Sequence, residues 1–176
     1  VVDDTFMEGC KNNPLWNKIV HNAWLNGEPG LFFKNRVNED NPFDEVIDCT
    51  NPCGEIPLLP YESCNLGHIN LSKFVHNGIF DWKGFKDIIP DCIRFLDNVI
   101  DVNKYPLDEI ESMNKNTRRI GLGVLGFSHA LILMNIRYGS DESLEFAREL
   151  SNVLHEESIK ASELLGEEKG YYGWWQ

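Results

Sequence analysis

Ile120-Gly121-Leu122-Gly123-Val124-Leu125-Gly126, followed by the helical pattern of Ser128 to Met134, is the stretch on which the fold class turns. It is apolar and rich in glycine, and it fits the spacing G-x-G-x-x-G, with Asp141 lying downstream. A dinucleotide site would need a buried hydrophobic strand leading into the glycines and a helix N-terminus leading out. The residues leading in are instead Asn114-Lys115-Asn116-Thr117-Arg118-Arg119, polar and basic, so the nicotinamide reading is rejected. The glycines are expected to ease tight packing of a strand against a helix.

Outward from this stretch, helices and short extended segments alternate. Asn13-Pro14 offers a cap and a first-turn proline for a helix that stops at Gly27. Gly30 to Phe33 reads as a strand, and residues 43 to 64, dense in Pro, Gly and Cys, as strand plus structured loop. Ile69, Leu71 and Phe74 suggest another extended piece. Residues 83 to 103 read as helical, with Pro90 breaking the helix or starting its second half. A further helix begins near Pro106, and a long one runs from about Asp141 to a stop at Gly166. This alternation predicts an α/β fold, a barrel or parallel sheet, in a single unit. The aromatic tail from Gly170 to Trp175 is expected to pack against something beyond residue 176.

The 176 residues carry a formal charge of −12, with 42% hydrophobic and 25% charged residues. That composition is globular, and the acidic surface disfavours nucleic acid, which binds through clustered Lys and Arg. No run approaches the ~18 apolar residues of a membrane span, so no membrane partner is expected. Five cysteines, an odd number with no signal peptide in view, argue for free thiols in a reducing cytoplasm.

Three of the five lie between positions 49 and 64. Cys49, Cys53, Cys64 and His68 have ligand types and spacing suited to tetrahedral zinc, and a zinc-stabilised structural or interaction module is one reading. Another starts from Asn51-Pro52-Cys53-Gly54-Glu55. In an extended segment alternate side chains share a side, which would group an amide, a thiol and a carboxylate. The carboxylate discourages thiolate formation, so the thiol suits hydrogen-atom transfer better than nucleophilic attack. Inert, buried cysteines are the third reading.

Thr50 to Leu58, then Tyr61-Glu62-Ser63-Cys64-Asn65-Leu66-Gly67 and Ile69-Asn70-Leu71, closely resemble the catalytic large chain of ribonucleotide reductases. Glu28 to Leu31, Asn38 to Pro42, Arg94 to Asp101, Arg118 to Gly126 and Tyr138-Gly139-Ser140 extend the resemblance along nearly the whole chain. The Asn-Pro-Cys-Gly-Glu form is most similar to the adenosylcobalamin-dependent class II enzymes.

The resemblance implies a section, residues 1–176, of a ten-stranded α/β barrel, with a finger loop around 49–58. It implies reduction of ribonucleoside di- or triphosphates to 2′-deoxyribonucleotides, the precursors of DNA. Cys53 would become the thiyl radical, Glu55 act as base at the 3′-hydroxyl, and Asn51 hydrogen-bond the sugar. Cys64 would form the redox disulfide with a cysteine outside this chain. Asn51, Pro52, Cys53, Gly54, Glu55 and Leu66 would line the substrate pocket, with no metal ligand among them. Gly121 to Gly126 becomes a barrel strand and its turn. Adenosylcobalamin is the implied cofactor, a thioredoxin-like dithiol the reductant, and the remainder of the barrel a partner in the same chain or a split one. His68 departs from the family pattern, which has serine there. With the second redox cysteine absent, the section alone is expected not to turn over, and a non-catalytic split-barrel fragment is the further alternative.

Overall fold

The computed structural model describes residues 1–174, which fall into two compact units, one from Val1 to Glu62 and one from Ser63 onward.

The first unit holds α1 (Asp4–Glu8), α2 (Pro14–Asn26), α3 (Lys34–Asn38) and the hairpin of β1 (Cys49–Thr50) with β2 (Pro57–Leu58). The punctuation of α2 is that expected. The Asn13 side chain accepts the Leu15 N–H at 3.0 Å, Pro14 needs no hydrogen bond in the first turn, and Gly27 leaves at φ +84°. The strand expected at Gly30–Phe33 shrinks to one bridge: Val2 donates to the Phe32 carbonyl at 2.8 Å and accepts from Lys34 at 2.9 Å, after which α3 begins. Asn38 then ties α3 to the approach of the hairpin, donating to the Ile47 carbonyl at 2.8 Å and accepting its N–H at 2.9 Å. Ile47, Leu58 and Leu59 are buried.

The second unit is built on a parallel pair. β3 (Asn65–Asn70) and, further along the chain, Ile120–Leu125 run in register from Asn65↔Ile120 to Asn70↔Leu125. Between them come a 3₁₀ turn at Leu71–Phe74, where an extended piece was expected, and a small hairpin of β4 (Val75–His76) and β5 (Ile79–Phe80). Asn77 and Gly78, at φ +53° and +80°, make the tight turn of that hairpin. Then follow α4 (Trp82–Val102) and α5 (Asp108–Thr117), after which Ile120–Leu125 is β6. A parallel pair needs such a crossover, and α4 supplies it. Beyond β6 lie α6 (Phe127–Leu133) and α7 (Asp141–Lys169).

The core lies between the pair and its helices. Phe85, Ile89, Ile93, Leu96 and Ile100 form one helical row on α4 and are buried, as are Phe146, Leu150, Ala161 and Leu165 on α7. Phe80 sits among Trp82, Phe146 and Phe85, with ring centroids at 4.7, 5.1 and 5.7 Å. At α4 the chain passes through Pro90 unbroken, because Pro90 and Lys86 one turn earlier both face solvent, where water can take the freed carbonyl.

Gly166 is not the helix stop; α7 continues to Lys169. Tyr171 folds back over it, so that a Cβ at Gly166 would lie 3.0 Å from the ring. The tail therefore packs on its own unit as far as described, Trp174 donating to the Asn116 carbonyl at 3.2 Å; Trp175 lies outside the described residues. Every sheet among the described residues has two strands, and none closes into a barrel.

Candidate active site

The finger-loop residues occupy the tip of the β1–β2 hairpin, and local sequence explains its shape. The Asn51 N–H donates to the Ile56 carbonyl at 3.3 Å, and the Asn51 side-chain oxygen accepts the Ile56 N–H at 3.0 Å. Gly54, at φ +81°, turns back so that its N–H reaches the Asn51 carbonyl at 3.0 Å, which the Thr50 hydroxyl also approaches at 2.9 Å. The segment is thus a turn and not an extended run, and the expected grouping of Asn51, Cys53 and Glu55 by strand alternation does not hold. Asn51 thus uses its side-chain oxygen to latch the loop. Pro52, Cys53, Gly54 and Glu55 are exposed at the tip.

Cys49, at the base of the hairpin, is a different kind of thiol. Its Sγ donates to the Leu58 carbonyl at 3.1 Å. Partial burial pushes its pKa above the ordinary thiol value, and the negative charges of Asp48 and Glu62 push the same way. Its side chain ties the base of the hairpin while the residue itself stays exposed. Cys92 is raised likewise, by burial first and then by Asp91.

Cys64 lies in the second unit, just before β3. Along that strand the side chains alternate: Gly67 approaches Leu96 on α4 and Ile69 enters the core, whereas Leu66 and His68 are exposed on the opposite face. The glycines of the motif explain how that face is kept open. A Cβ at Gly121 would fall 2.4 Å from Leu66 Cδ2 and 3.6 Å from Cys64 Sγ, and one at Gly123 would fall 3.1 Å from the His68 ring. The close packing they permit is strand on strand, not strand on helix as expected. Gly126, at φ +75°, then turns the chain into α6.

Asn114 was not singled out by any sequence pattern. Buried on α5, its side-chain oxygen accepts from the Ser63 N–H at 3.1 Å and the Ser63 hydroxyl at 2.6 Å, fixing the residue before Cys64. A buried amide in a short acidic helix is its only sequence trace. No group of three or more His, Cys, Asp or Glu side chains placed to hold a metal occurs among the described residues, so the zinc reading finds no support. No helix among them is long and apolar enough to cross a membrane.

The family described as ribonucleotide reductase, barrel domain, matches residues 4–176. The chain belongs to that family. It is 45% identical over 172 residues to a vitamin B12-dependent ribonucleoside-diphosphate reductase of Thermoplasma acidophilum, covering 96% of this chain and 22% of that protein. It is 41% identical over 164 residues to a ribonucleoside-diphosphate reductase subunit alpha of Chlamydia pneumoniae, covering 90% of this chain and 16% of the relative. The class Id ribonucleotide reductase alpha subunit of Actinobacillus ureae superposes with a TM-score of 0.79 at 27% identity, over 98% of this chain and 36% of that one. The expected α/β barrel type is therefore upheld, and the paired strands seen here belong to a section of a reductase barrel. The chain spans about a fifth of the length of the B12-dependent relatives it matches.

Proposed function

We propose that this section carries the thiyl-radical residue of a ribonucleoside-diphosphate reductase. The reading rests on one observation above all: a latched hairpin leaves Cys53 and Glu55 both exposed along its tip within a reductase barrel section. The thiyl radical on Cys53 Sγ takes the 3′-hydrogen of a bound ribonucleotide, Glu55 receives the 3′-hydroxyl proton, and the Asn51 amide donates to the sugar. The backbone from Asn51 to Glu55 contacts the substrate. Cys64 and a cysteine of the remaining chain lose two electrons and two protons, forming a disulfide as the 2′-hydroxyl leaves as water. The hydrogen atom then returns from the Cys53 thiol to C3′, so the thiyl radical on Cys53 is regenerated. A thioredoxin-like dithiol then reduces the disulfide, chemistry that suits a reducing, cytoplasmic compartment.

The relatives named as vitamin B12-dependent support adenosylcobalamin as the radical source. Bound, that group would supply the radical that Cys53 carries. The residues of this section do not themselves fit it. The cleft of about 720 Å³ in the second unit is walled by Asp97, Asp101, Arg118 and Lys169, already paired with one another. The cofactor would be seated by the remainder of the reductase.

The test is Cys53→Ala in the full-length reductase that contains this section. Deoxynucleotide formation should fall by a factor on the order of 10⁴ or more, the scale on which loss of a reacting atom acts, with the thermal midpoint unchanged. Turnover within tenfold of the parent would sink the assignment and leave a non-catalytic section.

A further inference from the structure

Cys64 stands one residue outside the sheet. The parallel ladder begins at Asn65↔Ile120, so strand pairing does not fix the backbone that carries the thiol. The second unit itself begins at Ser63. What the fold sets against this entry is a buried amide from α5. Asn114 Nδ2 donates to the Ile110 carbonyl at 2.7 Å, one turn back on the helix, which pins the side chain. Its Oδ1 then accepts both the N–H of Ser63 at 3.1 Å and its hydroxyl at 2.6 Å, fixing the backbone and the side chain of that residue at once. Ser63 is exposed, and water would satisfy it equally well. An apolar side chain would fill the place of Asn114 without the cost of burying an amide.

The same helix reaches Cys64 a second way. α5 ends at Arg118, in the left-handed region at φ +45°, and the chain turns there into β6. A Cβ at Gly121 of that strand would lie 3.6 Å from Cys64 Sγ, which donates to the Asn65 carbonyl at 3.5 Å. From this geometry we infer that Asn114 is a positioning residue for the redox step: acting through Ser63, it holds Cys64 where its sulfur meets that of the partner cysteine. The inference rests on the role proposed for Cys64. In that step the two thiols give up two electrons and two protons, the S–S bond forms, the C2′–O bond breaks, water leaves, and C2′ takes a hydrogen in its place. A disulfide tolerates only a narrow range of Cα separation and dihedral angle, so a cysteine that closes one in every turnover gains from a fixed backbone.

The test is the first turnover of the pre-reduced full-length reductase, with cofactor and substrate and no external dithiol. Deoxynucleotide and the Cys64 disulfide are both measured per nucleotide bound, which removes any loss of folded protein. Ser63→Ala deletes the hydroxyl bond at an exposed position and should slow both products ~10-fold, the scale on which small misplacements act, with the KM for substrate within twofold of the parent. Asn114→Ala, which deletes both bonds, should slow them further. Ser63→Thr keeps the hydroxyl and should react within twofold of the parent. Ser63→Ala at the parental rate, Ser63→Thr as slow as Ser63→Ala, or a rise in KM that accounts for the whole loss would each overturn the inference. Cys64→Ser tells the two readings apart. If it still completes the first turnover, the redox role of Cys64 is itself lost. If it fails while Ser63→Ala and Asn114→Ala react at the parental rate, that role stands and only the positioning is rejected.

Discussion

The hairpin that carries Cys53 and the layer that carries Phe85 are built by opposite means. Two residue pairs and a handful of local hydrogen bonds hold the hairpin, and its tip from Pro52 to Glu55 lies in solvent. The βαβ layer buries a continuous row on α4 against α7 and β3, with Phe85, Leu71 and Ile89 fully enclosed. Apolar burial supplies most of the stability of a domain. The thiol proposed to carry the radical is therefore placed where it contributes little to folding, and the core is built from residues to which the proposed function gives no role. Residues from each region should fail in different assays.

The widest separation is expected from pairing Cys53→Ala with Phe85→Ala. The first should remove activity and leave the melting curve alone. The second opens a cavity beside Phe80 and Trp82 and should cost about 3–5 kcal/mol, seen as a shift of the denaturant midpoint. The surviving folded fraction should keep its activity per molecule. A Phe85→Ala protein as stable as the parent would break the comparison.

β3 has two faces, one buried in the core and one carrying Leu66, to which the resemblance gives a substrate contact. Gly121→Ala puts a methyl 2.4 Å from Leu66 Cδ2. It should cost about 1–3 kcal/mol by overpacking and lower turnover as well, through displacement of Leu66 and Cys64. Gly67→Ala, on the other face, meets Leu96 at an ordinary 3.4 Å and should cost under about 1 kcal/mol, with turnover kept. Equal losses of turnover from both would refute the division of the strand into two faces.

Within the hairpin, Asn51→Ala should separate latch from ligand. It removes the acceptor of the Ile56 N–H at an exposed loop, a loss of about 1 kcal/mol at most. Turnover should fall by more than that local cost explains, since the amide N–H₂ is lost too. Asn51→Asp retains an oxygen for the Ile56 N–H and removes the donor. If Asn51→Asp restores full turnover, Asn51 serves only as a latch.

How much of this was legible in the sequence follows the range of the interactions. α2 was read with its cap, its proline and its stop, because Asn13, Pro14 and Gly27 act within one turn. Pro90 leaves two outcomes open and Gly166 reads as a stop that the structure overrides, since whether a proline or glycine ends a helix depends on solvent on one side or a returning Tyr171 on the other. The hairpin was recognised from its motif, yet its geometry was misread: alternation assumes extended backbone, and Gly54 at positive φ abolishes it. The pairing of Gly121 with Leu66, and the hold of Asn114 on Ser63 across 51 residues of chain, are non-local, and no spacing rule contains them.

The smallest effect concerns the charged end of the layer. Arg118, in the left-handed region at φ +45°, donates to Asp97 and Asp101 at 2.8 Å each, and Lys169 joins both carboxylates. The hydrogen bond from Arg118, aided by Lys169, holds the Asp101 carboxyl below its ordinary pKa against the opposing effect of partial burial. A depressed folded-state pKa means that the unfolded chain takes up the proton first. The stabilisation is then complete above the ordinary carboxylate range and is lost as the pH falls through that range toward the lower folded value. The Asp101 side chain is 43% exposed, so solvent screens the pair and the gain should be under about 1 kcal/mol. Urea melts of the parent and Asp101→Asn from neutral pH downward would show it as a shallower acid decline in the variant. Cys53→Ala should follow the parent at every pH, since the hairpin tip takes no part in this cluster; a flattened acid decline in Cys53→Ala would tie the tip to the layer and end the separation drawn between them.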